Sequence, residues 1–240
     1  MPDYSLYGII DRQACGFGYG RGYRKPHHSP LAYRKPNHGP LACGLKSLER
    51  IAKDCLRCGI RIIQYRDKSQ DIRGFYQNAL RLKKIIADKA LFIINDRADI
   101  ARLVDSDGLH LGQDDLPIEA ARRIIGGGKI IGKSCHSLKQ AILAQKEGAG
   151  YISIGPIFAT PTKPDYPVVG LGLLKSAMEK VKIPIMAIGG IDKTNIGLVK
   201  DSGAKIIAVV RAICQAKDIP KAIKELQGNR KTKKLKNQKT

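Results

Sequence analysis

A chain of 240 residues is long enough for one large core and close to the roughly 250 residues of a typical (β/α)8 barrel. With no Trp and four Phe that core must be aliphatic; no run approaches the roughly 18 apolar residues of a membrane span, and the opening MPDYSLYGII has no basic segment before its short apolar run, so it does not read as a secretory signal. The net charge of +22 excludes a neutral surface and favours anionic ligands.

The charge is uneven. Residues 17–44 carry +5 and residues 228–240 carry +6, with no acid in either stretch. Both segments could hold nucleic acid loosely through its phosphates, without sequence preference. Six Cys without a signal read as reduced thiols, which predicts a cytoplasmic protein.

Leu6–Ile10 is the first predicted strand, followed by Asp11-Arg12. Tyr23–Ala32 (YRKPHHSPLA) then repeats as Tyr33–Ala42 (YRKPNHGPLA), and Ala14-Cys15-Gly16 recurs as Ala42-Cys43-Gly44. Two repeats are too few for a solenoid, and Pro, Gly and His density argues against a packed core. Residues 17–44 therefore read as a flexible loop inserted after the first strand. Leu45–Cys58 is helical, with Leu48, Ile51, Ala52, Cys55 and Leu56 on one stripe. Ile60–Tyr65 is a strand and Asp71–Lys89 a long helix with Ile72, Phe75, Tyr76, Ala79, Leu82 and Ile86 inward. Leu91–Ile94, a short helix over Ala98–Val104, and Gly108–Leu111 complete a parallel pair with a right-handed crossover.

The alternation continues. Pro117 and Gly126–Gly128 bracket a helix. Strands follow at Ile130–Gly132, Tyr151–Ile154, Ile185–Ile188 and Ile206–Val210. Helices follow at Leu138–Gly148, Leu173–Val181, Thr194–Asp201 and from about Ala212 to Leu226. Eight near-continuous apolar strands, each followed by an amphipathic helix, indicate a parallel sheet buried on both faces. In this length they predict an α/β protein, a closed TIM (β/α)8 barrel, forming one domain over residues 1–227. The basic tail 228–240 is expected to be disordered.

In a barrel every strand ends on one face, and the polar clusters fall at those ends. Asp96 and Asp115 follow adjacent strands. A single Asp before a helix is an ordinary cap, but two carboxylates at one sheet edge suit a hard cation such as Mg2+. Gln64, Arg66 and Lys68 alternate, so they point to one side, and Arg and Lys suit phosphate oxygens. Asn95 sits beside Asp96 and could bind a phosphate oxygen. Thr160, Thr162 and Lys163 lie in a long loop stiffened by Pro161 and Pro164, a composition that suits anion binding and a lid. Ser134 and His136 follow the fifth strand. Gly189-Gly190 and Val210-Arg211 follow strands seven and eight, where barrels commonly bind a phosphate. Two anion sites in one mouth suit the joining of two phosphorylated fragments with loss of pyrophosphate.

The motifs Gln64-Tyr-Arg-Asp-Lys68, Asn95-Asp96, Gly108-Leu-His-Leu-Gly-Gln-Asp-Asp115, Gly132-Lys-Ser134, Gly155-Pro-Ile-Phe-Ala-Thr-Pro-Thr-Lys163 and Ala187-Ile-Gly-Gly-Ile191 resemble those of the thiamine phosphate synthase family. The resemblance covers about residues 4–227 apart from 17–44. It implies a TIM barrel that couples hydroxymethylpyrimidine pyrophosphate to a thiazole phosphate with Mg2+. It further implies that Gln64, Tyr65, Arg66, Asp67, Lys68, Asn95, Ser134 and Lys163 hold the pyrimidine pyrophosphate. Among these, Arg66, Lys68, Lys163 and Ser134 would be the catalytic set. Asp96 and Asp115 would bind Mg2+, and Thr160, Pro161, Thr162, Gly190 and the Val210-Arg211 backbone would hold the thiazole phosphate. The chain departs from the family at Arg211, where a small Ser is usual, and in the insertion. The implied partners are small molecules, with no membrane, and a homo-oligomer is compatible with the sequence. The alternatives are a related thiazole tautomerase barrel with His136 as proton shuttle, or a basic nucleic-acid-binding protein.

Overall fold

The computed structural model describes residues 5–16, 48–162 and 167–228. The expected loop 17–44, Lys163 and the tail beyond 228 lie outside the described residues, and with them the segments behind the nucleic-acid expectation.

Eight strands close into a parallel barrel in sequence order, β1 pairing with both β2 and β8. The strands are β1 (Ser5–Asp11), β2 (Ile62–Arg66), β3 (Leu91–Asn95), β4 (Gly108–Leu111), β5 (Ile130–Cys135), β6 (Tyr151–Ile154), β7 (Ile185–Ala187) and β8 (Ile206–Val209). Between them run α1 (Leu48–Arg57), α2 (Ile72–Ile86), α3 (Ala98–Leu103), α4 (Ile118–Ile125), α5 (Leu138–Lys146), α6 (Gly170–Lys180) and α7 (Ile196–Asp201). The chain closes with α8 (Arg211–Cys214) and α9 (Ile219–Gln227). The predicted barrel is the observed one.

Strand alternation divides the interior in two. Leu6, Ile10, Ile63, Tyr65, Phe92, Ile94, Leu109 and Leu111 face outward and pack under the helices in one continuous aliphatic core. Tyr7, Ile9, Ile93, Tyr151, Met186 and Ala208 face inward and fill the barrel. Burying each large aliphatic side chain stabilises the fold by roughly 1.5–3 kcal/mol, so the ring of Ile and Leu on the outer face dominates. Toward the carboxyl end of the strands the inward residues turn polar. The register sets Asp11 opposite Arg66, Asn95 opposite His110 and Ser134 opposite Ser153.

Two local expectations are corrected. The final helix is not continuous: Asp218 accepts a hydrogen bond from the Lys221 N–H at 3.0 Å and Pro220 occupies the first turn, so a new helix, α9, starts there. Asp as cap with Pro just inside is a start signal. Ile72, expected inward, sits at the first position of α2 and is 54% exposed; the buried stripe begins a turn later at Phe75. Among the described residues no helix is long and apolar enough to cross a membrane.

Candidate active site

A cavity of about 460 Å³ opens at the carboxyl end of the barrel. Its floor is the polar ring of inward strand residues, and its wall is made by the loops after β6, β7 and β8. Gln64, Arg66, Asn95, Ser134, Thr160, Pro161, Thr162, Gly190, Val210 and Arg211 line it, so most of the expected binding residues do converge. Arg66 is held at the floor by an ion pair with the buried Asp11.

Tyr65, Asp67, Lys68, Asp96 and Asp115 are not among the residues that line the cavity, and the Tyr65 and Asp67 side chains turn away from it. Tyr65 lies between Gln64 and Arg66, so strand alternation turns it outward, where its ring meets Phe75 at 4.9 Å between centroids. Its hydroxyl donates to Asp67 at 3.2 Å. Asp67 is buried and accepts from Arg12 at 3.1 Å and from the Ser69 N–H at 2.8 Å. The pair braces the turn that carries Lys68.

Lys68 Nζ reaches Asp96 Oδ2 at 2.5 Å, and the Asp96 and Asp115 carboxyls are within hydrogen-bonding reach of each other. Asp96 has φ +64°, a left-handed conformation that is uncommon outside Gly. Its N–H is fixed by the His110 carbonyl at 2.8 Å. Asp115 is fixed by the Gly112 N–H at 2.6 Å, and Lys133 braces the same turn by donating to the Gly112 carbonyl at 2.7 Å. Neither acid caps a helix: the caps of α3 and α4 are Arg97 and Pro117, with no side-chain capping bond. Burial and Asp115 push the Asp96 carboxyl up to about 6 against the pull of Lys68. Burial also acts to raise Asp115, but hydrogen bonds from Asp96 and the Gly112 N–H outweigh it and hold this carboxyl below its ordinary value. Two facing carboxylates that resist simultaneous ionisation are a donor set that a hard divalent cation would relieve. Among the described residues no cluster of three or more His, Cys, Asp or Glu is built to hold a metal, and Mg2+ needs only one or two carboxylates beside waters and phosphate oxygens.

On the opposite wall Gly189 and Gly190 adopt φ +101° and +64°. A Cβ on Gly190 would sit 2.6 Å from the carbonyl oxygens of both Phe158 and Ala159. The loops after β6 and β7 are zipped together by Ile157 N to Ile188 O at 2.9 Å and Phe158 N to Gly189 O at 3.0 Å. Only glycine permits that approach. Arg211 stands beside this shelf at the start of α8, its Nε donating to Gln215 Oε1 at 2.9 Å.

The sequence reading missed the floor itself. Gln64 Nε2 donates to the Tyr7 oxygen at 2.9 Å, and the Tyr7 and Tyr151 oxygens are 3.0 Å apart. Tyr151 reaches His110 Nδ1 at 2.9 Å, and His110 Nε2 lies 3.0 Å from Ser134 Oγ. Burial pushes both tyrosine hydroxyls above their ordinary range, so they stay neutral. Gly132 makes room, since a Cβ there would overlap the Tyr151 ring. The available signal was a polar side chain at the inward parity of an apolar strand. His136, by contrast, bonds the Gly155 carbonyl through Nδ1 at 2.5 Å.

The family model for thiamine monophosphate synthase matches residues 39–213. The chain is 41% identical over 174 residues to the thiamine-phosphate synthase of Methanosarcina barkeri, covering 72% of this chain and 79% of that protein. It is 43% identical over 186 residues to the Pelotomaculum thermopropionicum thiamine-phosphate synthase, covering 77% and 85%. The solved structure of thiamine phosphate pyrophosphorylase from Pyrococcus furiosus is similar with a TM-score of 0.74 and 35% identity, over 94% of this chain and 95% of that one. The chain belongs to the thiamine monophosphate synthase family.

Proposed function

We propose that this chain is a transferase that joins 4-amino-2-methyl-5-hydroxymethylpyrimidine pyrophosphate to a thiazole phosphate, releasing pyrophosphate and forming thiamine phosphate. The observation that supports it most is the pairing, in one 460 Å³ cavity, of Arg66 on the floor with a glycine shelf at Gly189-Gly190, and the Lys68–Asp96 pair at the neighbouring strand ends.

Arg66 and Lys68 bind the diphosphate and offset the negative charge that grows as the bond from its oxygen to the pyrimidine methylene breaks. Lys163, placed by sequence at the end of the Thr160–Thr162 loop, is assigned to the same anion. Asp96 and Asp115 would hold Mg2+, which when bound supplies charge neutralisation and fixes the diphosphate oxygens. The bonding electron pair leaves with pyrophosphate. The electron-rich aminopyrimidine spreads the positive charge left on the methylene carbon. The thiazole ring nitrogen, held by its phosphate on the Gly190, Thr160, Thr162 and Val210-Arg211 wall, then forms the new C–N bond. Asn95 and Ser134 orient the pyrimidine half. No protein nucleophile is needed.

The test is to mix the full chain with both phosphorylated fragments and Mg2+. Thiamine phosphate and pyrophosphate are expected in equal amounts, and neither fragment alone should release pyrophosphate. Release from the pyrimidine fragment alone at the full rate would instead indicate a simple hydrolase.

A further inference from the structure

The floor of the cavity is a connected hydrogen-bond network in which Gln64 reaches both tyrosine hydroxyls, and donor counting gives its main path a direction. Gln64 reaches Tyr7 through its amide nitrogen at 2.9 Å, which can only donate. The Tyr7 hydroxyl is buried and must find an acceptor; the Tyr151 oxygen lies 3.0 Å away, so the Tyr7 proton is assigned to it. Tyr151 then has its own proton for His110 Nδ1 at 2.9 Å. An Nδ1 that accepts leaves a neutral imidazole with its proton on Nε2, and that proton goes to Ser134 Oγ at 3.0 Å. Ser153 stands 3.5 Å from both His110 Nε2 and Ser134 Oγ and donates to Ser134 if to either. Ser134 Oγ thus accepts on its protein side. Its own hydroxyl proton is left to point into the cavity that Ser134 lines.

We propose that Tyr7 and Tyr151 are positioning residues for the coupling reaction, acting through His110 to present the Ser134 hydroxyl as a hydrogen-bond donor toward an acceptor atom of the pyrimidine substrate. This rests on the function proposed above. Neither tyrosine lines the cavity, and both are buried beneath its floor. The direction matters because a serine hydroxyl is otherwise ambivalent, able to give or take. A chain running the other way would place the Nδ1 proton of His110 on Tyr151, take the Ser134 proton onto Nε2, and offer the substrate only a lone pair. The geometry also explains why tyrosine is needed at 151: phenylalanine would fill the same space beside Gly132 without transmitting the donor.

The first experiment reads the imidazole directly. The full chain, labelled with 15N-histidine, is examined at pH 7.5 by long-range proton–nitrogen correlation, and the signal is assigned with His110→Gln. The expected pattern is a protonated Nε2 and a bare Nδ1; a protonated Nδ1, or an imidazolium, overturns the proposal. This spectrum needs no turnover, so a chain lacking the coupling activity would refute the function while leaving the direction of the chain decided on its own. The second experiment is Tyr151→Phe, measured alone and with Ser134→Ala. Alone it should lower kcat about tenfold, the scale of one positioned hydrogen bond, with KM for the thiazole phosphate unchanged. Combined with Ser134→Ala the additional loss should vanish, because the path ends at that hydroxyl. The same tenfold loss in both backgrounds would show that Tyr151 acts only on packing and would overturn the proposal.

Discussion

Lys68 Nζ lies 2.5 Å from Asp96 Oδ2, beside the Asp115 carboxyl that reaches the same acid from the end of the neighbouring strand. Lys68 pairs directly with Asp96, Lys133 lies near enough to act on Asp115, and the two facing carboxylates remain a donor pair suited to a divalent ion. Substitution of Asp96 by Asn should lower kcat about 10²-fold at limiting Mg2+, the scale for removing one electrostatic contact to a developing charge. An unchanged rate there would remove Asp96 from the metal site.

The same substitution should not cost the fold. The Asp96 carboxyl stands at about 6 against an ordinary 3.8. Between those values the folded chain holds a proton that the unfolded chain has released, so its contribution to stability falls as pH rises through that window. At pH 7.5 Asp96→Asn should leave Tm equal to or above that of the parent. A clear drop in Tm, measured by thermal unfolding, would mean that the acid is structural.

Metal binding must displace the proton that the pair holds. The rise in Tm produced by a fixed excess of Mg2+ should therefore be large at pH 8 and small at pH 5. Differential scanning at the two pH values, with the cation added and chelated, checks this. An equal rise at both would place the ion elsewhere.

The glycine shelf makes a separate prediction. Gly190 has φ +64° and two carbonyl oxygens 2.6 Å from any added Cβ. Gly190→Ala should cost about 1–3 kcal/mol of stability through backbone strain. In the folded fraction it should also raise KM for the thiazole phosphate while leaving KM for the pyrimidine pyrophosphate nearly unchanged. A uniform loss on both substrates would contradict the division of the cavity into two anion sites.

Much of this was legible in the chain because the strands are short, apolar and regularly spaced. The polar residues that matter also sit just past their ends, where a barrel must gather them. Asp96 and Asp115 could be paired from strand order alone. The outward turn of Tyr65 follows from alternation, but a motif read as a continuous block hides it. The break between α8 and α9 was signalled by Asp218 and Pro220, yet the apolar spacing runs through both helices and favours one. The floor was least legible. Tyr7, His110 and Tyr151 lie in three separate, mostly apolar strands, and only the register brings them onto one line. Lys163 and the 17–44 repeat lie outside the described residues, so the sequence argument for them stands alone.

The most direct measurement is a crystal structure of the full chain with Mn2+ and pyrophosphate, the ion located by its anomalous signal. The expected result is one ion within about 2.0–2.6 Å of an oxygen from each of Asp96 and Asp115, the range for hard cations on oxygen ligands, with the pyrophosphate against Arg66 and Lys68. An ion bound away from both acids, or a pyrophosphate seated only on the glycine shelf, would contradict the arrangement on which the proposed chemistry depends.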